Sequence, residues 1–264
     1  MSGEIDPPRY VLSPEWDHER QRLGLLEHVF DRGATARLTA LGVASGARCL
    51  ELGAGGGSIT RWLCTKVGPT GAVTAVDLDT RWLDMIDESN LTVLRSNLLI
   101  DDLPPNSFDV IYARAVLEHT SERERALERI RDWLAPGGWL YLENFAFFPF
   151  ASSSNPPYRE AFRAFEEVIG RTGTDYTWAR TFPKPLIEGG LSNVGAEADV
   201  RVMQGGSALA QFFSLSLGAL AARIIATGLL DAAAIADAQA ALEDPDFWDF
   251  APALVGTWGQ KPTA

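Results

Sequence analysis

Cysteine is scarce in this 264-residue chain: there are two, Cys49 and Cys64, and they form no metal-ligand pattern. Cys49 falls in an expected strand and Cys64 in an expected helix, so both read as reduced core residues of an intracellular protein. Positive charge is also in deficit. Lys and Arg number 23 against 35 Asp and Glu, a formal net charge of −12, which argues against a surface that tracks nucleic-acid phosphates. The N-terminal residues, with Glu4, Asp6, Pro7 and Pro8, lack the apolar core of a signal peptide. The expectation is a cytoplasmic protein with neither nucleic acid nor membrane as partner. Apolar residues, by contrast, make up 46% of the chain, enough for one large α/β domain with a full core, with or without a lid.

One stretch organises the rest: Cys49-Leu50-Glu51-Leu52-Gly53-Ala54-Gly55-Gly56-Gly57-Ser58. A short apolar run ends at Glu51-Leu52 as a buried parallel strand would, a glycine-dense turn follows, and Ile59 to Lys66 reads as the start of a helix. Glycines at 53, 55 and 57 let the backbone turn sharply and approach a ligand. The helix N-terminus beyond offers N–H groups and partial positive charge. The next strand, Ala72 to Val76, ends at Asp77, a spacing that suits a carboxylate on both ribose hydroxyls. A NAD-type site and a SAM-type site would both use Asp77. The NAD fingerprint, however, wants glycine where Ser58 stands.

The Glu-x-Gly-x-Gly-x-Gly form resembles motif I of the class I S-adenosylmethionine (SAM) dependent methyltransferases. Phe108-Asp109-Val110-Ile111-Tyr112-Ala113 with Leu117-Glu118-His119 resembles that family's fourth strand and following turn. Leu134-Ala135-Pro136-Gly137-Gly138-Trp139-Leu140 is similar to its lead-in to strand five. Order and spacing match over residues 45–145, and the nearest likeness is to ubiquinone-biosynthesis-type and actinobacterial natural-product methyltransferases. The resemblance implies a doubly wound, mostly parallel seven-stranded sheet, Rossmann-like, with a helical lid insertion. It implies SAM as cofactor, S-adenosylhomocysteine (SAH) as product, and Glu51, Gly53, Ala54, Gly55, Gly57, Asp77, Leu78, Asn97, Leu98 and Ala113 as cofactor-binding residues. Asn97 would take the adenine amino group, since an amide both accepts and donates. The loop Leu99–Asp102 is longer than the family's, and Asp101 and Asp102 read as a solvated loop rather than a metal pair.

The whole chain is expected to be one methyltransferase domain: cap helices over 1–44, the cofactor core over 45–145, a lid over 146–195, and C-terminal strands and helices over 196–264. The first 12 residues read as an irregular arm. Glu15 to Phe30 reads as a helix, with Ser13 as N-cap and Pro14 in the first turn, and a second helix covers Gly33 to Leu41. Asp79 to Glu88 reads as helical, Thr92 to Arg95 as strand three, and Ser121-Glu122-Arg123-Glu124 as a capping box. Arg159 to Gly170 reads as an inserted helix, Ala198 to Met203 as strand six, Ala232 to Leu242 as a helix, and Phe250 to Gly259 as a final antiparallel strand. Ser207 to Leu230 approaches membrane-span length, but Gln211, the serines and Arg223 favour a buried helix.

His119 sits at a strand-to-helix mouth, with an ordinary pKa suited to taking a proton from an acceptor. A role limited to positioning the loop fits it as well. Strand five, Trp139 to Glu143, leads into Asn144-Phe145-Ala146-Phe147-Phe148-Pro149-Phe150, and Asn144, Phe145 and Phe148 are the expected acceptor contacts. They suit an apolar or aromatic small molecule, with oxygen, nitrogen and carbon acceptors all compatible. Asn155-Pro156-Pro157-Tyr158 matches the signature of N6-adenine and protein-glutamine methyltransferases, but follows strand five instead of strand four and reads as coincidence. Two other classes stay open: a SAM-binding relative with another reaction or a scaffold role, and a NAD-type oxidoreductase.

Overall fold

The computed structural model describes residues 18–263; the expected arm, the Ser13 cap and the Pro14 turn lie outside them. The first element is a single helix, α1 (Glu19–Ala40). Its buried residues recur about every four positions, at Arg22, Leu26, Phe30, Ala34 and Leu38, which gives one continuous stripe. This replaces the two helices expected from the sequence. Gly33 does not break it, because the position is exposed and nothing lies near its absent Cβ.

Alternation follows: β1 (Arg48–Leu52), α2 (Ser58–Val67), β2 (Ala72–Asp77), β3 (Leu91–Arg95), β4 (Phe108–Arg114), α3 (Arg123–Trp133) and β5 (Leu134–Ala146). After β5 come α4 (Pro156–Gly170), α5 (Lys184–Glu188), β6 (Ser192–Asp199), β7 (Val202–Gln204), α6 (Ala208–Ala226), α7 (Ala232–Glu243), β8 (Trp248–Phe250) and β9 (Ala253–Gln260). The main sheet runs β3-β2-β1-β4-β5-β9-β6. Its strands are parallel except β9, which is antiparallel to both neighbours. The expected doubly wound, mostly parallel seven-stranded sheet is therefore the observed one. Strand order reverses between β1 and β4, and open α/β sheets bind ligands at the carboxyl ends beside such a reversal.

One face of the sheet is covered by Ile130 and Trp133 of α3, packed with Leu50, Ile111 and Leu140. On the other, Ile59 and Leu63 of α2 meet Leu38 of α1 and Cys49. Both cysteines are free and buried, and burial pushes the Cys49 thiol up to about 12. A third cluster caps the carboxyl edge, uniting Phe30, Phe145, Phe147, Phe162, Phe213 and Leu217. The cap is thus built from α1, α4, α6 and α7, not from residues 146–195 alone. Helix α6 is long and apolar enough to cross a membrane, and in this fold Phe212, Phe213, Leu217 and Leu220 are buried against that cap.

Three further expectations change. Residues 79–88 form turns, because Asp77 and Asp79 accept hydrogen bonds from the backbone N–H two positions on, at 3.0 and 3.1 Å, and such side-chain bonds compete with helix. The capping box at Ser121 does not form; α3 starts at Arg123, and the Glu122 N–H donates to Thr120 Oγ1 at 3.1 Å. The strand expected over 198–203 is two strands. β6 leaves the sheet after Asp199, and β7 pairs instead with β8. β6 is an edge strand of small residues whose Gly195 lies against the Trp258 ring, so its apolar alternation is faint.

The tetrapeptide at 155–158 is the start of α4. Asn155 Oδ1 accepts from Tyr158 N–H at 3.0 Å, the two prolines fill the first turn, and Tyr158 O–H donates to Phe250 O at 3.0 Å.

Candidate active site

The glycine turn joins β1 to α2 and is tied to β2. Gly53 N–H and Ala54 N–H donate to Val76 O at 2.7 and 3.2 Å, Gly57 N–H to Ala54 O at 2.9 Å, and Gly55 N–H to Asp77 Oδ2 at 2.8 Å. Backbone N–H groups of this loop are therefore already engaged inside the protein. Gly53 is at φ +64° and an added Cβ would lie 2.3 Å from Val116 Cγ2, so both conformation and space require glycine there. Beneath the loop, buried Glu51 accepts from Thr60 O–H, and burial pushes its carboxyl up to about 8.

A cavity of about 240 Å³ opens at this edge of the sheet. One end is polar, with Glu51, the loop, Asp77, Leu78, Asn97 and Leu98. Asp77 also accepts from Asp79 N–H at 3.0 Å, and burial raises its pKa against those backbone donors. The other end is aromatic, walled by Phe145, Phe147, Phe165, Tyr176, Phe212 and Phe213. Phe145 stacks on Phe212 at 6.0 Å, and Phe147 on Tyr176 at 4.1 Å with 7° between the planes. Helix α1 roofs the middle with Leu23 and a buried pair in which Arg22 holds Glu19 through two hydrogen bonds of 2.7 Å.

His119 faces the cavity from the turn after β4, its Nδ1 3.2 Å from Thr174 Oγ1 and its ring edge-on to Tyr176. Burial, then the nearby Arg22 and Arg123 charges, pushes its pKa down to about 3, so the imidazole is neutral. Arg114, at the end of β4, also lines the cavity; its Nη2 donates to Asp31 Oδ1 at 2.8 Å, while Nη1 is buried without a partner.

Residues 50–142 match the family described as "Methyltransferase domain". They form a methyltransferase domain. A methyltransferase of the fungus Strobilurus tenacellus, str3, is 31% identical over 153 residues, covering 56% of this chain and 52% of that protein. The ubiquinone/menaquinone biosynthesis C-methyltransferase UbiE of Hahella chejuensis is 26% identical over 132 residues, covering 47% of this chain and 51% of that one. The chain thus spans about half the length of the curated relatives it matches. Among solved structures, phosphoethanolamine N-methyltransferase 2 of Haemonchus contortus, complexed with phosphomonomethylethanolamine and S-adenosylhomocysteine, superposes with TM-score 0.64 at 17% identity, over 98% of this chain and 61% of that one. A SAM-dependent methyltransferase of Aquifex aeolicus gives 0.51 at 17% identity, over 98% and 100%. These two likenesses show the class I fold.

Most residues singled out from the sequence meet at the domain's cavity: Glu51, Gly53, Ala54, Gly55, Asp77, Leu78, Asn97, Leu98, His119 and Phe145 line it. Four do not. Gly57 caps α2 in a left-handed conformation beneath Leu83 and Ile86, and Ala113 is buried within β4. Asn144 is buried and donates to the Glu118 carboxylate, with its Oδ1 unpartnered. Phe148 is 46% exposed and turned away, because β5 continues through Ala146 and puts Phe145 and Phe147 inward in its place. Asn97 Oδ1 accepts from Leu99 N–H at 2.9 Å, an Asx turn that fixes the loop; Asp101 accepts from Ser96 and Asn97, whereas Asp102 pairs with Arg129. Arg114, Arg22, Tyr176 and Phe212 are cavity residues not singled out from the sequence. For Arg114 a signal was there: an arginine closing an otherwise buried strand at the ligand edge.

Proposed function

We propose that the whole chain is a SAM-dependent methyltransferase acting on a small organic acceptor with an apolar or aromatic body. The observation that carries this is one cavity whose polar end suits a nucleoside and whose other end is a box of aromatic rings. The residues fit the donor. Asp77 presents a carboxylate to a ribose, Leu78 and Leu98 give apolar faces to a purine, and the Cβ-free turn allows close approach. Arg114 Nη1, a buried N–H without a partner, suits the carboxylate of the methionine portion, since leaving such a group unpaired costs about 1–3 kcal/mol. Four of the loop's N–H groups are already engaged within the protein, three of them by β2 and one by the loop itself, which suits a ligand without phosphate better than a pyrophosphate and so favours SAM over NAD.

When bound, the sulfonium supplies an activated methyl group. The protein's contribution is then orientation and water exclusion, effects worth up to about 7–11 kcal/mol. Phe145, Phe147 and Phe212 exclude water around the acceptor. Neutral His119 accepts a hydrogen bond from the acceptor's O–H or N–H and orients it; with basicity so depressed it is a poor proton sink, so we assign it orientation ahead of general-base work. The methyltransferase names of the curated relatives support this reading, as does the net charge of −12 against a nucleic-acid acceptor. Incubation of the chain with SAM and a panel of small phenols, amines and enolisable acceptors, followed by mass spectrometry, tests it. Acceptor-dependent SAH is expected. SAM binding with no turnover on any acceptor would favour a scaffold role.

A further inference from the structure

A second cavity, of about 200 Å³, lies behind the aromatic end of the first. Phe148, Phe150, Glu166 and Arg180 line it, and two residues, Phe147 and Tyr176, belong to the walls of both cavities. Those two rings stack at 4.1 Å with 7° between planes, and they are 3% and 5% exposed. Phe165 lies nearly parallel to Phe147 at 5.6 Å. The partition is therefore made of side chains. Phe147 follows directly on β5, while Tyr176 comes from the irregular segment between α4 and the turn Trp178–Thr181.

We propose that the Phe147–Tyr176 ring pair is the end wall of the acceptor chamber, and that it fixes how long an apolar acceptor the chamber takes. This rests on reading the inner cavity as a methyltransferase site. An acceptor lying between Phe145 and His119 meets the stacked pair when it extends away from the glycine turn. Beyond the pair there is space, with an apolar floor at Phe148 and Phe150 and a charged rim at Glu166 and Arg180. Removing one ring joins the two cavities without touching the residues that face the donor. The exposed Phe148 then has a place as part of the outer cavity, 46% accessible to solvent, and none in the reacting chamber.

A series of 4-n-alkylphenols, from methyl to octyl, measures this in calorimetric titrations of the full chain saturated with SAH. For the wild type, affinity should rise about fourfold with each buried methylene and then fall at a definite chain length. In Tyr176→Ala, and in the milder Phe147→Val, the break should move to longer chains; in Tyr176→Phe, which keeps the ring, it should stay. A break at the same length in all four proteins would overturn the proposal. So would an unbroken rise in the wild type, or a failure of every alkylphenol to bind. The preceding SAH titration separates this from failure of the methyltransferase reading, which would show as no SAH binding at all.

Discussion

His119 faces the cavity, yet its burial beside Arg22 and Arg123 holds the ring neutral, with a pKa near 3. If it orients the acceptor, the ratio of wild-type to His119→Gln turnover should stay constant from about pH 5 to 8, a range spanning the ordinary histidine value. A ratio that falls away below about pH 6.5 would make it a titrating base. Its neighbour Glu118 is fully buried, accepts from Asn144 Nδ2 and Phe145 N–H, and is pushed by burial up to about 7. The native state thus holds this proton more tightly than the unfolded chain. The associated stability is complete below the ordinary carboxyl value and is lost as pH rises through 7. The Glu118 contribution to the unfolding free energy should therefore fall with rising pH between about 4.5 and 7, so Glu118→Gln should shift the pH slope of stability in the positive direction across that window, as denaturant titrations at several pH values would show. An equal slope in both proteins would mean Glu118 is ionised throughout. Such roles are hard to read from sequence because they depend on burial. The motif put Glu118-His119 at the ligand edge, and the depth of the site decides their protonation.

At the scale of elements, glycine separates what is required from what is tolerated. Gly33 is exposed within α1 and meets nothing, so Gly33→Ala should stabilise by about 1 kcal/mol and raise Tm by about 2–4 °C. A lowered Tm would mean the chain breaks there into the two helices expected from local signals. Gly53 is the opposite case: its added Cβ would meet Val116 at 2.3 Å, at φ +64°. Gly53→Ala should cost about 1–3 kcal/mol from overpacking and weaken SAH binding, measured by thermal melts with and without SAH. Elements whose signals are local and doubled, such as β1 with its turn, were legible beforehand. The turns at 79–88 were not, because two aspartates there bond to backbone N–H groups in a stretch whose composition also suits a helix. Phe148 was misplaced for a related reason: the period of two places Phe145 and Phe147 on one face only if β5 is known to run to Ala146.

Over the whole molecule, the strand order follows from motifs in sequence order, since βα units wind predictably. The cap does not, because α1, α4, α6 and α7 converge on the site from three separate stretches of chain, and no local pattern says that Phe30, Phe162 and Phe213 share a core. The polar end of the cavity was legible in the sequence and the aromatic end only in part. The central claim is that this polar end holds the donor, with Asp77 on its ribose. Calorimetric titration of SAH into the full chain and into Asp77→Ala tests it most directly. The account predicts one site in the wild type and a dissociation constant weaker by about tenfold to a hundredfold in the variant, the equivalent of one charge-assisted hydrogen bond, with the variant still folded by its melting curve. Equal affinity in the two proteins, or binding of NADH in place of SAH, would contradict it.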